Sequence, residues 1–256
     1  MNDTNTIELS HLTRYFPVRN GFLIKALDDV SFSCKKGVVY GIVGPNGSGK
    51  TTCLRLIAGI LHPTSGRVSI EGIDLSENFD KVREKVGYVS CTAQPYERLT
   101  PKEILRFCGR LAGLGKNLDS KIDSIIDDLG IGDFQDRYCG TLSTGMRQRV
   151  AIARALVHDP NILIFDEPLT GLDVIARRSL IDQLHQLKSS DKTLLLSTHI
   201  PEEAERLCDF LLILNQGKLV EQGAVLELKT KYSTNNLEDM FLAVLTRRQD
   251  AHISRN

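Results

Sequence analysis

The sequence predicts an α/β fold with a helical insert, and three observations predict it. Val38-Val-Tyr-Gly-Ile-Val43 is an unbroken apolar run leading into a glycine-rich segment, the pattern of a strand buried on both faces. Ile162–Phe165 and Thr193–Ser197 repeat the short apolar run late in the chain, each with a helical pattern after it. Between the first run and these two, from Thr100 to Leu156, apolar residues recur at helical spacing instead.

Each element follows from local pattern. Ile7–Phe16 mixes apolar and polar positions and Leu27–Ser33 alternates loosely, so both read as strands, with a turn at Lys36-Gly37. After the glycine-rich segment, Leu54, Ile57, Ala58 and Leu61 mark one side of a helix, and His62-Pro-Thr-Ser-Gly66 is a turn. Arg67–Ile70 and Val86–Val89 are further short strands. Thr100-Pro-Lys-Glu103 is a capping box with Pro at the first helical position, so a helix starts there and carries Ile104, Leu105, Cys108 and Leu111. Asp119–Leu129 is a second helix, striped by Ile122, Ile125, Ile126 and Leu129 and stopped by Gly130. A third covers about Thr144–Leu156. The core then resumes with the strand Ile162–Phe165, a helix over Val174–Lys188, the strand Thr193–Ser197 and a helix from Pro201. Phe210–Leu214 and Lys218–Glu221 flank Asn215-Gln-Gly217, a hairpin signal. An amphipathic helix over about Asn236–Thr246 and a polar tail close the chain.

Composition bounds the function. The 256 residues suit one large α/β domain or two small ones. Lys+Arg and Asp+Glu both number 32, and this zero balance argues against a dedicated nucleic-acid binder, which meets phosphates with a basic excess. A hydrophobic share of 41% with 25% charged residues excludes a disordered chain. The longest uniformly apolar run, Phe210–Leu214, is far short of the roughly 18–20 residues that span a bilayer. The N-terminal Met1–Thr6 is polar, with no leader-like basic and apolar regions, so a cytoplasmic protein is expected. Cysteines 34, 53, 91, 108, 139 and 208 are scattered without C-x-x-C spacing, and reduced thiols are expected of them.

Gly44-Pro-Asn-Gly-Ser-Gly49-Lys50-Thr51 matches G-x-x-x-x-G-K-[ST] between a buried strand and a helix, the context that makes this pattern a phosphate-binding loop. The glycines let backbone N–H groups of the loop, built from Gly44, Pro45, Asn46, Gly47, Ser48 and Gly49, curl around phosphate oxygens, and the helix N-terminus adds positive potential. Lys50 is placed to reach the β/γ-phosphates, Thr51 to ligate Mg²⁺, and Thr52 to touch the α-phosphate. Asp166 and Glu167 end the strand Ile162–Phe165, and ligands in parallel sheets bind outside strand C-termini. Asp166 therefore suits Mg²⁺, through water, and Glu167 suits polarising the water that attacks a γ-phosphate. His199 follows another apolar strand and is placed to sense the γ-phosphate.

Taken together, these residues resemble the ATP-binding subunits of ABC transporters, over about Ile7 to Leu245. Gly44–Thr51 resembles the Walker A loop, and Leu142-Ser-Thr-Gly-Met146 resembles the family signature usually written LSGGQ. Ile162–Glu167 resembles Walker B with its catalytic glutamate, Thr170-Gly-Leu-Asp173 the D-loop, and His199 the switch histidine. The resemblance implies a P-loop NTPase core of mixed, mainly parallel sheet, an antiparallel β subdomain and an inserted α-helical subdomain. Its domain would span residues 7–231, with the helical part about 95–156, and residues 232–256 would form a C-terminal helix and polar tail. It implies ATP and Mg²⁺ as ligands and catalytic roles for Glu167, His199 and Lys50. Phe16 or Tyr15 matches the aromatic that stacks on adenine.

Because the signature precedes a helix, Ser143 and Gly145 can donate to a γ-phosphate, and in the family they face the Walker A loop of a partner subunit. The resemblance thus implies a head-to-tail dimer. Two departures stand out. Met146 replaces the usual signature glutamine, and the Q-loop glutamine position, three residues after Tyr88, is Cys91, with Gln94 three further on. The phrasing from Ser143 to Arg154 and from Ser197 to Cys208 is most similar to sodium-efflux and drug-efflux type bacterial exporter ATPases. That implies an ATPase peripheral on the inner face of the membrane, driving separate permease subunits that Arg98-Leu-Thr-Pro101 would contact. A soluble ABC-type ATPase, or a regulatory module that binds ATP without transport, is the alternative.

Overall fold

Described residues of the computed structural model are 5–18, 21–90, 96–189 and 191–253; Cys91 and Gln94 lie outside them. Four strands, β1 (Asn5–Pro17), β2 (Leu23–Lys35), β4 (Ser65–Ile70) and β5 (Ile73–Asp74), form an antiparallel sheet in the order β2-β1-β4-β5. The other six are β3 (Val39–Val43), β6 (Val86–Ser90), β7 (Ile162–Asp166), β8 (Thr193–Thr198), β9 (Phe210–Asn215) and β10 (Lys218–Ala224). They form one sheet in the order β10-β9-β3-β8-β7-β6. From β9 to β6 every pairing is parallel, and β10 is the antiparallel edge.

The apolar runs are strands covered on both faces, as their lack of alternation predicts. Along β3, Val39 and Val43 enter one core cluster while Tyr40 and Ile42 enter the other. Along β7 the division is Leu163 and Phe165 against Ile162 and Ile164. One cluster gathers the antiparallel sheet and α1 (Lys50–Ile57), through Leu9, Leu27, Leu54 and Ile57. The other gathers α3 (Pro101–Leu111), α4 (Leu118–Asp128), α5 (Thr144–Leu156) and α6 (Val174–Ser189), through Leu105, Ile122, Val150 and Leu180. A fully buried side chain such as Phe165 contributes about 1.5–3 kcal/mol of transfer free energy.

Local signals hold where they are chemical. Thr100 Oγ1 accepts from Glu103 N while Glu103 Oε2 accepts from Thr100 N, so α3 begins with its capping box closed. Gln216 and Gly217 both have positive φ, 48° and 77°, as a two-residue hairpin turn requires. Two short helices lie where no helix is expected from periodicity: α2 (Phe79–Lys85) and α8 (Val225–Lys231). Each spans about two turns, too few for a 3.6-residue period to declare itself. Between them in the chain, α7 (Pro201–Leu207) starts at its proline. The last helix, α9 (Leu237–Ile253), runs beyond Thr246 into the polar tail, because Arg, Gln and Ala propagate a helix without any apolar stripe. No helix among the described residues is long and apolar enough to cross a membrane.

Candidate active site

Parallel strands deliver their C-termini to one edge of the sheet. There β3 runs into the loop 44–49 and α1, β7 ends at Asp166, and β8 ends at Thr198 just before His199. Register makes the alignment close: Asp166 sits opposite Ser90 on one side and Ser197 on the other, and Val43 sits opposite Thr198.

The loop is shaped by glycine and anchored by its neighbours. Gly49, the N-cap of α1, has φ 105° and ψ 1°, and a Cβ there would stand 2.5 Å from Ala26 O. Only glycine fits both the left-handed backbone and that approach. Ser48 O accepts from Gly217 N at 3.0 Å, and Gly217 O accepts from Asp28 N at 2.8 Å. The β9–β10 hairpin turn therefore clamps the loop to β2, a support that no sequence motif announces. Ser48 Oγ is buried without a hydrogen-bond partner, while Asn46 and Gly47 face solvent at the loop's tip.

Lys50, only 5% exposed, donates Nζ to Gly44 O at 2.8 Å and to Pro45 O at 3.1 Å. Its Nζ lies 3.9 Å from Glu167 Oε1. Burial pushes its pKa below the usual lysine range, opposed by the charges of Glu167 and Asp166. Thr51 Oγ1 donates to Asp166 Oδ1 at 2.9 Å, and Thr52 follows half-buried in the first turn of α1. Asp166, 4% exposed, accepts two more hydroxyls: Ser197 Oγ on Oδ1 at 2.8 Å and Tyr88 OH on Oδ2 at 2.9 Å. Tyr88 is driven to hold its proton, first by burial and then by the Asp166 charge. Glu167 Oε1 is 3.4 Å from His199 Nδ1, and Glu167 Oε2 accepts from Thr170 Oγ1 at 3.4 Å. Lys50, Thr51, Asp166, Glu167 and His199, separated by up to 149 positions in sequence, thus form one cluster.

Among the remaining candidates, Phe16 and Tyr15 point to opposite faces of β1. Arg14 pairs with Leu27 and Tyr15 with Lys25, so Ala26 is an extra residue in β2. Arg14 shares a face with Phe16: its Nη1 donates to His62 O beyond α1, and its guanidinium lies 4.7 Å over the Phe16 ring. Leu27, the partner of Arg14, packs against Gly49, whereas Tyr15 lies beneath Lys25 Nζ on the other face. Ser143 and Gly145 stand apart from the cluster. Ser143 Oγ caps α5 by accepting from Met146 N at 3.3 Å, and a Cβ on Gly145 would meet Ala176 Cβ on α6 at 2.9 Å. No hydrogen bond or ion pair among the described residues joins Ser143 or Gly145 to the loop 44–52.

Sequence reasoning overlooked Ser197 and gave Tyr88 no role in the site. The signal for Ser197 was a hydroxyl directly after the apolar run Leu194–Leu196, and that for Tyr88 a polar tip in the middle of the short strand Val86–Ser90.

The ABC transporter family matches this chain over residues 27–170. The ABC transporter ATP-binding protein NatA of Bacillus subtilis (strain 168) is 40% identical over 227 residues, covering 88% of this chain and 92% of that protein. The daunorubicin/doxorubicin resistance ATP-binding protein DrrA of Streptomyces peucetius is 36% identical, over 91% of this chain and 70% of its own. Among solved structures, the ATP-binding subunit of an ABC transporter superposes with a TM-score of 0.82 at 28% identity, covering 94% of this chain and all of that one. A dimeric ATP-binding cassette in a post-hydrolysis state with ADP and Pi superposes with a TM-score of 0.77 at 27% identity, over 86% of this chain and 98% of its own.

Proposed function

This chain belongs to the ABC transporter ATP-binding family and is an ATPase, and on that premise we propose which of its residues bind and hydrolyse ATP and what it drives. Support comes chiefly from one observation: the Lys50, Glu167 and His199 side chains converge beside the Thr51–Asp166 pair at the C-terminal edge of the parallel strands. Residues 7–231 are read as the ATP-binding domain, with about 95–156 as its helical part.

The loop Gly44–Gly49 wraps the phosphates with its N–H groups, and the buried Ser48 hydroxyl has an unmet bond to offer there. Lys50 exchanges its two carbonyl partners for phosphate oxygens, which suits a buried cation better than neutral acceptors do. Thr51 and Asp166 are hard oxygen donors 2.9 Å apart, a donor set that fits Mg²⁺. When bound, Mg²⁺ neutralises phosphate charge. Thr52 touches the α-phosphate, and Phe16, on the face of β1 that looks toward α1, carries the adenine. Glu167 accepts a proton from the attacking water at its carboxylate as the water oxygen bonds to the γ-phosphorus and the β–γ bridging oxygen leaves with ADP. His199 stands 3.4 Å from Glu167 Oε1 and reports the γ-phosphate.

Ser143 and Gly145 lie outside this cluster, so a complete site takes them from a second copy arranged head-to-tail. The dimer drives separate permease subunits from the inner face of a membrane. Export is the favoured direction, since relatives include Nod factor export and drug-resistance ATP-binding proteins. The test is Glu167→Gln. ATP binding should persist while steady-state phosphate release falls by about 100-fold or more, the scale of a lost general base. Near-normal phosphate release would remove Glu167 from this role.

A further inference from the structure

Glu167 is poorly held by its own carboxylate. Its side-chain partners stand at 3.4 Å (Thr170 Oγ1), 3.4 Å (His199 Nδ1) and 3.9 Å (Lys50 Nζ), all long for hydrogen bonds that fix an orientation. Its backbone is unusual as well: φ is 51°, the left-handed region that a non-glycine residue keeps only when its surroundings impose it. What holds the residue must therefore act on the backbone.

Two bonds do so: Thr170 N donates to Glu167 O at 3.2 Å inside the following turn, and a shorter bond comes from the neighbouring strand. Ser197 Oγ accepts from Glu167 N at 3.0 Å and donates to Asp166 Oδ1 at 2.8 Å. Ser197 is fully buried and lies directly opposite Asp166 in the β7–β8 register. Its single hydroxyl uses both its donor and its acceptor capacity on two consecutive residues of the neighbouring strand end. An apolar side chain at this position would leave the Glu167 N–H without its partner and Asp166 with one donor fewer. We propose that Ser197 is a positioning residue for ATP hydrolysis, its hydroxyl clamping the Glu167 peptide so that the carboxylate is aimed at the attacking water. The inference rests on Glu167 being the general base, as proposed above.

Ser197→Ala should lower kcat by about 10- to 100-fold, the cost of roughly 1 Å of misplacement at a reacting group. KM for ATP and affinity for a non-hydrolysable Mg-ATP analogue should stay within about twofold, since the loop and Lys50 make no bond to Ser197 and Asp166 keeps the Thr51 and Tyr88 hydroxyls as donors. Ser197→Thr keeps the hydroxyl and should recover most of the lost rate. The deciding measurement is the same substitution made in a Glu167→Gln background and followed by single-turnover phosphate release. If Ser197 acts through Glu167, its effect should shrink there to less than about twofold. An undiminished effect in that background, an Ala variant with parental kcat, or a folded Thr variant as slow as the Ala one would each overturn the inference. If Ser197→Ala does not fold, Ser197→Cys replaces it: similar in size, but a much weaker donor and acceptor, it should be slow, and parental speed would refute the clamp. The two readings separate cleanly. An active Glu167→Gln enzyme overturns the base and the clamp together, whereas an inactive one with unimpaired Ser197→Ala overturns the clamp alone.

Discussion

Gly49→Ala probes how the loop is held, and its cost can be worked from two contacts. The residue has φ 105°, and its added Cβ would stand 2.5 Å from Ala26 O. Ordinary contact begins near 3.4 Å, so α1 and β2 must part by 3.4 − 2.5 = 0.9 Å. Neither side yields easily, because the obstacle is backbone and Gly217 already ties this stretch of β2 to the loop. Left-handed backbone costs alanine about 1–2 kcal/mol. Forcing packed elements apart costs about 1–3 kcal/mol more. The total expected loss is about 2–5 kcal/mol. Gly47 is the internal control: its φ is 77°, but nothing lies within 4 Å of its Cβ position, so Gly47→Ala carries only the first cost. Urea unfolding of the nucleotide-free protein should rank Gly49→Ala below Gly47→Ala by about 1–3 kcal/mol. A shift of this size at the start of α1 also carries Lys50 and Thr51, so kcat/KM of Gly49→Ala should fall by roughly 100-fold. Equal stabilities for the two variants would show that Ala26 does not confine the loop, and the reasoning would fail.

Three further outcomes are expected. Lys50→Ala and Ser143→Arg should each abolish ATPase activity alone, and mixing them should restore part of it, because one site of a mixed head-to-tail dimer carries neither defect; a verified mixed dimer that stays dead would count against sites shared between copies. Phe16→Ala should weaken ATP binding by roughly 10- to 100-fold, taking about 1–3 kcal/mol for a base stack, with Tyr15→Ala near parental; titration showing the larger loss for Tyr15→Ala would reverse that assignment. The third concerns acid. Glu205 on α7 accepts from Lys229 Nζ on α8 and from Leu237 N at the start of α9, and these bonds, Lys229 first, hold its carboxyl below its ordinary 4.5. A depressed carboxyl stabilises fully above its unfolded value and loses that contribution as pH falls through its folded one. Amide exchange over residues 225–246 should therefore quicken as pH drops below about 4.5, beyond the intrinsic rate change, and Glu205→Gln should flatten that response. Unchanged protection from pH 6 to 3.5 would refute it.

Much of the molecule was legible along the chain, because its chemistry is local. The strand–loop–helix of Val38–Thr51 depends on neighbours within a few residues, as do the capping box at Thr100 and the Gln216-Gly217 turn. Asp166 and Glu167 were legible as candidate-site residues because parallel strands present their C-termini to one edge, a rule of topology that needs no coordinates. Which of Tyr15 and Phe16 shares a face with Arg14 and Leu27 was not legible. It turns on Ala26, an extra residue in the partner strand that sets which face pairs with which, and a single-residue shift inverts the faces of a strand. Nor was Ser197 legible as the partner of Asp166, or Gly217 as the clamp on Ser48. Ser197 meets Asp166 across 31 positions and Gly217 meets Ser48 across 169, contacts that exist only once the sheet has fixed its strand order and register. Motif spacing determined which groups the chain brings to phosphate chemistry; packing between distant strands decided which backbone and hydroxyl groups hold them in place, because hydrogen bonds are short and directional and sequence distance does not predict them.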